Sequence, residues 1–187
     1  MGVDDSVPPP VLSEMRDDPR FIRRRQQMSD GQTFMVKDIH WEEADDPTEC
    51  VFLLGQDFKS AMIEAVAPIP EYSQWLRTVD FQPAYEYHKR ALQLLQSKSP
   101  GQWILKAPNH ASQIHTIKKV YPDAQIVVNH RDPITAVAST LSLFEAMYIN
   151  NCTEVDIDYL REPYVPMSHA LCTTIMRYRD EFGSDDF

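Results

Sequence analysis

The sequence predicts an α/β protein in which a large helical region precedes a partial parallel β-sheet. Two short apolar runs, 103–106 and 125–129, have the composition of strands, and the second is rich in β-branched residues. A segment with helical spacing lies between them, and a longer one follows the second run. This order of strand, helix, strand and helix favours a βαβ unit with a right-handed crossover.

The segments outside the βαβ unit are predicted to be mostly helical. Residues 1–10 are acidic and proline-rich, which is typical of a flexible terminus. Residues 11–187 are predicted to form a single domain, with 11–98 mainly helical, 102–150 forming the βαβα core and 155–183 helical again.

One helix in the first region is predicted in more detail. Asp46 can cap its start and Pro47 suits its first turn. Apolar residues then recur at helical spacing as far as Val66, and Pro68 is expected to end the helix.

Composition limits the classes of protein that are plausible. The chain has 187 residues and a formal net charge of −10, whereas a nucleic-acid-binding protein usually has a basic face. Its three cysteines, Cys50, Cys152 and Cys172, are widely spaced, which favours reduced thiols in the cytoplasm over a disulfide framework or a zinc site. No apolar run is long enough to span a membrane.

The junction after the second predicted strand could bind an anion. Asp132 can cap the following helix, with Pro133 in its first turn. Arg131 would then project at the strand end, and Ser139 would lie two helical turns further on. A guanidinium and a hydroxyl in this arrangement could share one phosphate. Alternatively, Arg131 pairs with Asp132 or another carboxylate, and Ser139 is a small residue that lets the helix pack.

The junction after the first predicted strand carries two further polar residues. Lys106 ends the strand, and His110 begins a helix four residues later. The lysine could neutralise a leaving phosphate, and the histidine could take a proton from an attacking hydroxyl. The alternative is a surface lysine and a histidine at a helix start, both of which are common.

The stretch "WILKAPNHASQIHTIKKVYPDAQIVVNHRDPITAVASTLSL" resembles the sulfotransferases that use 3′-phosphoadenosine 5′-phosphosulfate (PAPS), especially their large, mainly bacterial branch. The resemblance implies a P-loop-NTPase-like fold and transfer of a sulfuryl group from PAPS to a hydroxyl or amine of a small molecule or glycan. It places Arg131 and Ser139 at the cofactor's 3′-phosphate, and Lys106 and His110 beside the transferring group. It implies no metal ion.

A general base is also expected. His110 is one candidate, and the acidic pair Glu42 and Glu43 is another, since some sulfotransferases use a glutamate. The alternative for the acidic pair is a solvated lead-in to the next helix.

The sequence departs from the family pattern at both ends. The family begins with a strand and a loop like "GxPRSGTT", which holds the 5′-phosphosulfate, but the five glycines of this chain form no such cluster. The family also continues beyond the point that matches Phe187. The sequence therefore predicts an incomplete domain, with an exposed sheet edge and weak PAPS binding. A non-catalytic interaction or regulatory protein on a decayed sulfotransferase scaffold is the alternative, and a helical binding protein without a nucleotide site is a third.

Overall fold

The computed structural model describes residues 12–30, 43–44, 46–154 and 156–183. The predicted flexible terminus and Glu42 lie outside these ranges. The α-helices within them are α1 (Pro19–Ser29), α2 (Val51–Gly55), α3 (Ala61–Val66), α4 (Pro70–Thr78), α5 (Gln82–Leu95), α6 (Ile114–Val120), α7 (Pro133–Asn151) and α8 (Ile157–Phe182). Short 3₁₀ helices span Leu12–Asp17, Gln96–Lys98 and Pro108–Gln113.

The predicted parallel sheet is wrong for the described part of the chain, which contains helices and no β-strand. Residues 101–107 and 124–132 carry no regular secondary structure. Ile104 is 95% exposed and Val127 is 87% exposed, so these two apolar side chains face solvent. Strand composition alone does not make a strand, because each strand needs a neighbouring backbone to complete its hydrogen-bond ladder. Neither apolar run finds such a neighbour among the described residues.

The long helix predicted from Asp46 to Val66 is divided into α2 and α3. Between them Phe58 adopts a positive φ of 55°, which interrupts the helical backbone. Ser60 then caps α3, because its hydroxyl accepts a hydrogen bond from the Met62 backbone N–H. Asp46 does not cap α2. Its carboxylate instead accepts from the Glu43 backbone N–H at 2.7 Å.

One hydrophobic core joins the helices that precede the first junction to α6. Its buried members come from α2, α4, α5 and α6 and the segment before α5: Leu54, Leu76, Phe81, Ala84, Tyr85 and Val120. Because α5 packs on both α2 and α6, it lies at the centre of this half of the molecule.

A second core forms where α7 packs against α8. Leu160 and Tyr164 of α8 are buried with Tyr148 of α7, and the Phe144 and Tyr164 rings stack with centroids 4.4 Å apart. The Tyr148 hydroxyl also donates to the Glu64 carbonyl of α3 at 2.7 Å, which connects α7 to the preceding helices. In the described residues no helix has the length and hydropathy of a membrane span.

Candidate active site

The first junction is held against the start of α2. The Cys50 backbone N–H donates to the Lys106 carbonyl at 2.9 Å. The Lys106 ammonium forms an ion pair with the Glu49 carboxylate, and its side chain is largely exposed. A cation at this exposed position can contact an anionic ligand, although a ligand phosphate would compete with Glu49 for it.

His110 lies on the 3₁₀ helix Pro108–Gln113, and its ring is fixed by α5. Its Nδ1 lies 2.7 Å from the hydroxyl of Tyr85. Burial lowers the pKa of His110 to about 4. The imidazole is therefore neutral at about pH 7, since burial disfavours its charged form.

A second histidine–tyrosine pair lies beside the first. Nδ1 of the fully buried His88 is 2.7 Å from the Tyr121 hydroxyl. The His88 and His110 ring centroids are 6.3 Å apart. Burial, followed by the proximity of His110, lowers the pKa of His88 to about 4. Two neutral imidazoles thus meet in one buried cluster.

Asn109 adds an unsatisfied polar group next to His110. Its side-chain oxygen and nitrogen are both buried, and neither has a hydrogen-bond partner in the described part of the chain. Leaving such atoms unpaired is costly. The junction therefore contains an amide able to donate to or accept from a further polar group.

The second junction presents Arg131 and Ser139 to solvent. Both residues are exposed, and Arg131 forms no ion pair with a described residue. The Asp132 carboxylate is hydrogen-bonded to Thr135. It accepts from the Thr135 backbone N–H at 2.7 Å and from the Thr135 hydroxyl at 2.6 Å. These hydrogen bonds hold the pKa of Asp132 below its usual value. Arg131 therefore does not pair with Asp132.

The four predicted site residues do not contact one another through hydrogen bonds or ion pairs. Across the described ranges no hydrogen bond or ion pair connects any two of Lys106, His110, Arg131 and Ser139. A polar groove of about 380 Å³ between α5 and α6 contains none of them. Among the same residues no group of three histidine, cysteine or acidic side chains could hold a metal ion.

Comparison with known proteins identifies the family. A family model described as "Sulfotransferase family" matches residues 4–187. The chain belongs to the sulfotransferase family. The crystal structure of sulfotransferase STF1 from Mycobacterium tuberculosis H37Rv is similar, with a TM-score of 0.78 and 26% sequence identity. The alignment covers 95% of this chain and 49% of that one, so the chain spans about half the length of the solved sulfotransferase. The search of curated proteins gives no significant match.

The structure adds residues that the sequence of this chain did not single out. Tyr85 and His88 are three positions apart, so their spacing predicts a shared helix face. Nothing in that spacing indicates that the face meets His110, 25 positions after Tyr85. The sequence likewise gives no indication of the ion pair between Glu49 and Lys106, which are 57 positions apart.

Proposed function

We propose that the chain is part of a sulfotransferase that transfers a sulfuryl group from PAPS to a hydroxyl or amine of a small molecule or glycan. Its family membership supports the transferase class, and the resemblance of both junctions to PAPS-dependent enzymes supports the donor. The observation that carries the proposal is the exposed Arg131 at the start of α7, which forms no ion pair with a carboxylate of the described residues.

The residues present suit an anionic nucleotide. Arg131 supplies a guanidinium beside the helix N-terminus, where backbone N–H groups also favour negative charge. Ser139 supplies a hydroxyl, and Lys106 supplies a second cation. We assign the 3′-phosphate to Arg131 and Ser139, and the sulfuryl end to Lys106 and His110.

PAPS would supply the activated sulfuryl group. The chain's own residues would bind PAPS and stabilise the negative charge that develops during the transfer. Positioned cations and N–H donors matter most in such transfers, since negative charge accumulates on the oxygens around the reacting centre. The predicted cytoplasmic location stays a prediction. Glu43, predicted as an alternative general base, is exposed and its backbone N–H bonds to Asp46.

The test is calorimetric binding of adenosine 3′,5′-bisphosphate to the parent chain and to Arg131→Ala. We expect the substitution to weaken binding about tenfold or more, because it removes the charge opposite the 3′-phosphate. Adenosine 5′-monophosphate lacks that phosphate, so the parent chain and Arg131→Ala should bind it equally.

Arg161→Ala is the matched control, because Arg161 is an exposed arginine near the start of α8, where Leu160 packs on Tyr148 at the end of α7 opposite the second junction. It should leave binding of both nucleotides unchanged. Equal binding of the bisphosphate by the parent and Arg131→Ala would remove Arg131 from the site. Failure of the parent to bind the bisphosphate would favour the non-catalytic alternative for this chain.

A further inference from the structure

The hydroxyl of Tyr85 has a single hydrogen-bond partner. The side chain is 1% exposed, and in the described part of the chain its hydroxyl contacts one hydrogen-bond partner, Nδ1 of His110. Burial, with a smaller contribution from Cys50 and Tyr121, raises the pKa of this phenol far above its ordinary value. Tyr85 therefore keeps its proton at neutral pH.

The position of that proton fixes the tautomer of His110. A buried hydroxyl that donated to nothing would lose a hydrogen bond it could otherwise make, so Tyr85 donates to Nδ1. A neutral imidazole that accepts at Nδ1 carries its own hydrogen on Nε2. The low pKa of His110, about 4, is consistent with this neutral form.

The Nε2 atom of His110 is available to a ligand. It hydrogen-bonds to no described residue and is not completely enclosed, in contrast to Nε2 of His88, which is fully buried and unpaired. His110 also shares its junction with Lys106 and the unpaired Asn109. The imidazole therefore carries an N–H group that no described residue accepts, four positions along the chain from the Lys106 cation.

We propose that Tyr85 is a positioning residue that fixes His110 as a hydrogen-bond donor, through Nε2–H, to an anionic oxygen of the sulfuryl end of PAPS. This inference rests on the proposed function. It also changes the role predicted for His110, since an imidazole whose Nδ1 lone pair is occupied by Tyr85 has no lone pair for the acceptor's proton. The general base must then be another group or solvent.

The first experiment measures the tautomer directly. Long-range ¹H–¹⁵N NMR spectra of the ¹⁵N-labelled chain at about pH 7 distinguish a protonated Nε2 from a protonated Nδ1. We expect His110 to be neutral and predominantly protonated at Nε2. In Tyr85→Phe, which removes the hydroxyl and keeps the ring, we expect both tautomers to be populated. Protonation of Nδ1 in the parent chain would overturn the proposal.

Tyr121→Phe is the matched control for this measurement. It removes the equivalent hydroxyl from His88, so it should alter the His88 signals and leave the His110 tautomer unchanged. If Tyr121→Phe shifts the His110 tautomer as much as Tyr85→Phe does, the assignment to Tyr85 is wrong. Backbone spectra of each variant check that the fold is intact.

The second experiment tests the donor role by calorimetric binding of PAPS. The glutamine amide of His110→Gln can donate near the position of Nε2 but cannot act as a base, whereas His110→Ala removes both functions. We expect His110→Ala to weaken PAPS binding about tenfold and His110→Gln to stay within about twofold of the parent. Equal weakening by both substitutions would overturn the donor role.

The two experiments separate this inference from the proposed function. A parent chain that binds no PAPS overturns the PAPS contacts assigned to this chain and the donor role together. The NMR tautomer, which needs no nucleotide, still decides whether Tyr85 fixes His110.

Discussion

At the scale of single residues, the molecule keeps two histidines neutral by burying them beside tyrosines. His88 and His110 each present Nδ1 to a tyrosine hydroxyl at 2.7 Å. The sequence predicted that His110 stands at a functional junction, and its partners follow only from the fold. A contact between α5 and a residue 25 positions later depends on how the helices pack, which local spacing does not encode.

Burial of His88 predicts that acid destabilises the fold. Its pKa falls from 6.5 to about 4 on folding, so the unfolded chain binds the proton more readily. The stabilisation is complete above pH 6.5 and is lost as the pH falls towards 4, by roughly 3 kcal/mol for this residue. Urea denaturation at several pH values between these limits measures the free energy of unfolding.

His88→Asn separates this effect from other acid-sensitive groups, because asparagine can still accept from the Tyr121 hydroxyl but does not titrate. Its stability should vary less steeply with pH than that of the parent. Glu64 acts in the opposite direction, since burial raises its pKa, but it is present in both proteins and its effect cancels. Identical pH profiles would show that His88 has the same pKa in the folded and unfolded states.

At the scale of elements, the predicted start of α7 was confirmed, whereas the start predicted at Asp46 and Pro47 was wrong because α2 begins only at Val51. The start of α7 follows from Asp132 and Pro133, and the structure confirms both the cap and the first turn. The prediction of strands at 103–106 and 125–129 was wrong. A strand needs hydrogen bonds from a neighbouring segment, and the local sequence does not show whether such a segment is present. The division between α2 and α3 was missed because the positive φ of Phe58 contradicts its own residue preference.

The cap on α7 predicts a measurable loss of stability in Asp132→Ala. The substitution removes the acceptor for both the backbone N–H and the hydroxyl of Thr135. We expect Tm to fall by a few degrees, whereas Asp132→Ser should retain most of the stability because serine also caps helices. Thermal unfolding followed by circular dichroism gives Tm. Asp123→Ala, which removes an exposed carboxylate outside any helix, should have little effect.

At the scale of the whole molecule, two segments that were expected to form a sheet expose apolar side chains to solvent. Ile104 and Val127 lie in segments with no strand partner among the described residues, and both are largely exposed. Extended apolar segments with unpaired backbone groups tend to pair with other chains. Both segments lie within the match to the sulfotransferase family, and the chain spans about half the length of the solved relative.

We therefore predict that the isolated chain self-associates through these segments. Sedimentation velocity over a range of protein concentrations should show association in the parent and a shift towards monomer in the double variant Ile104→Lys/Val127→Lys. Ile149→Lys provides the control, because Ile149 is exposed on α7, a helix without an internal proline, so its backbone lies within the helical hydrogen-bond ladder. A parent chain that stays monomeric at its solubility limit would contradict the prediction.

The length of α8 has a consequence for any ligand that touches both junctions. Its 26 residues extend for about 39 Å, and it packs against α7 and against the 3₁₀ helix that carries His110. Near its far end Tyr178 and Phe182 enclose the His115 ring, at centroid distances of 5.0 and 5.5 Å. Within the described residues, α8 thus connects the elements that carry the two junctions. Fraying of its last turns would change the distance that a ligand contacting both junctions must cover.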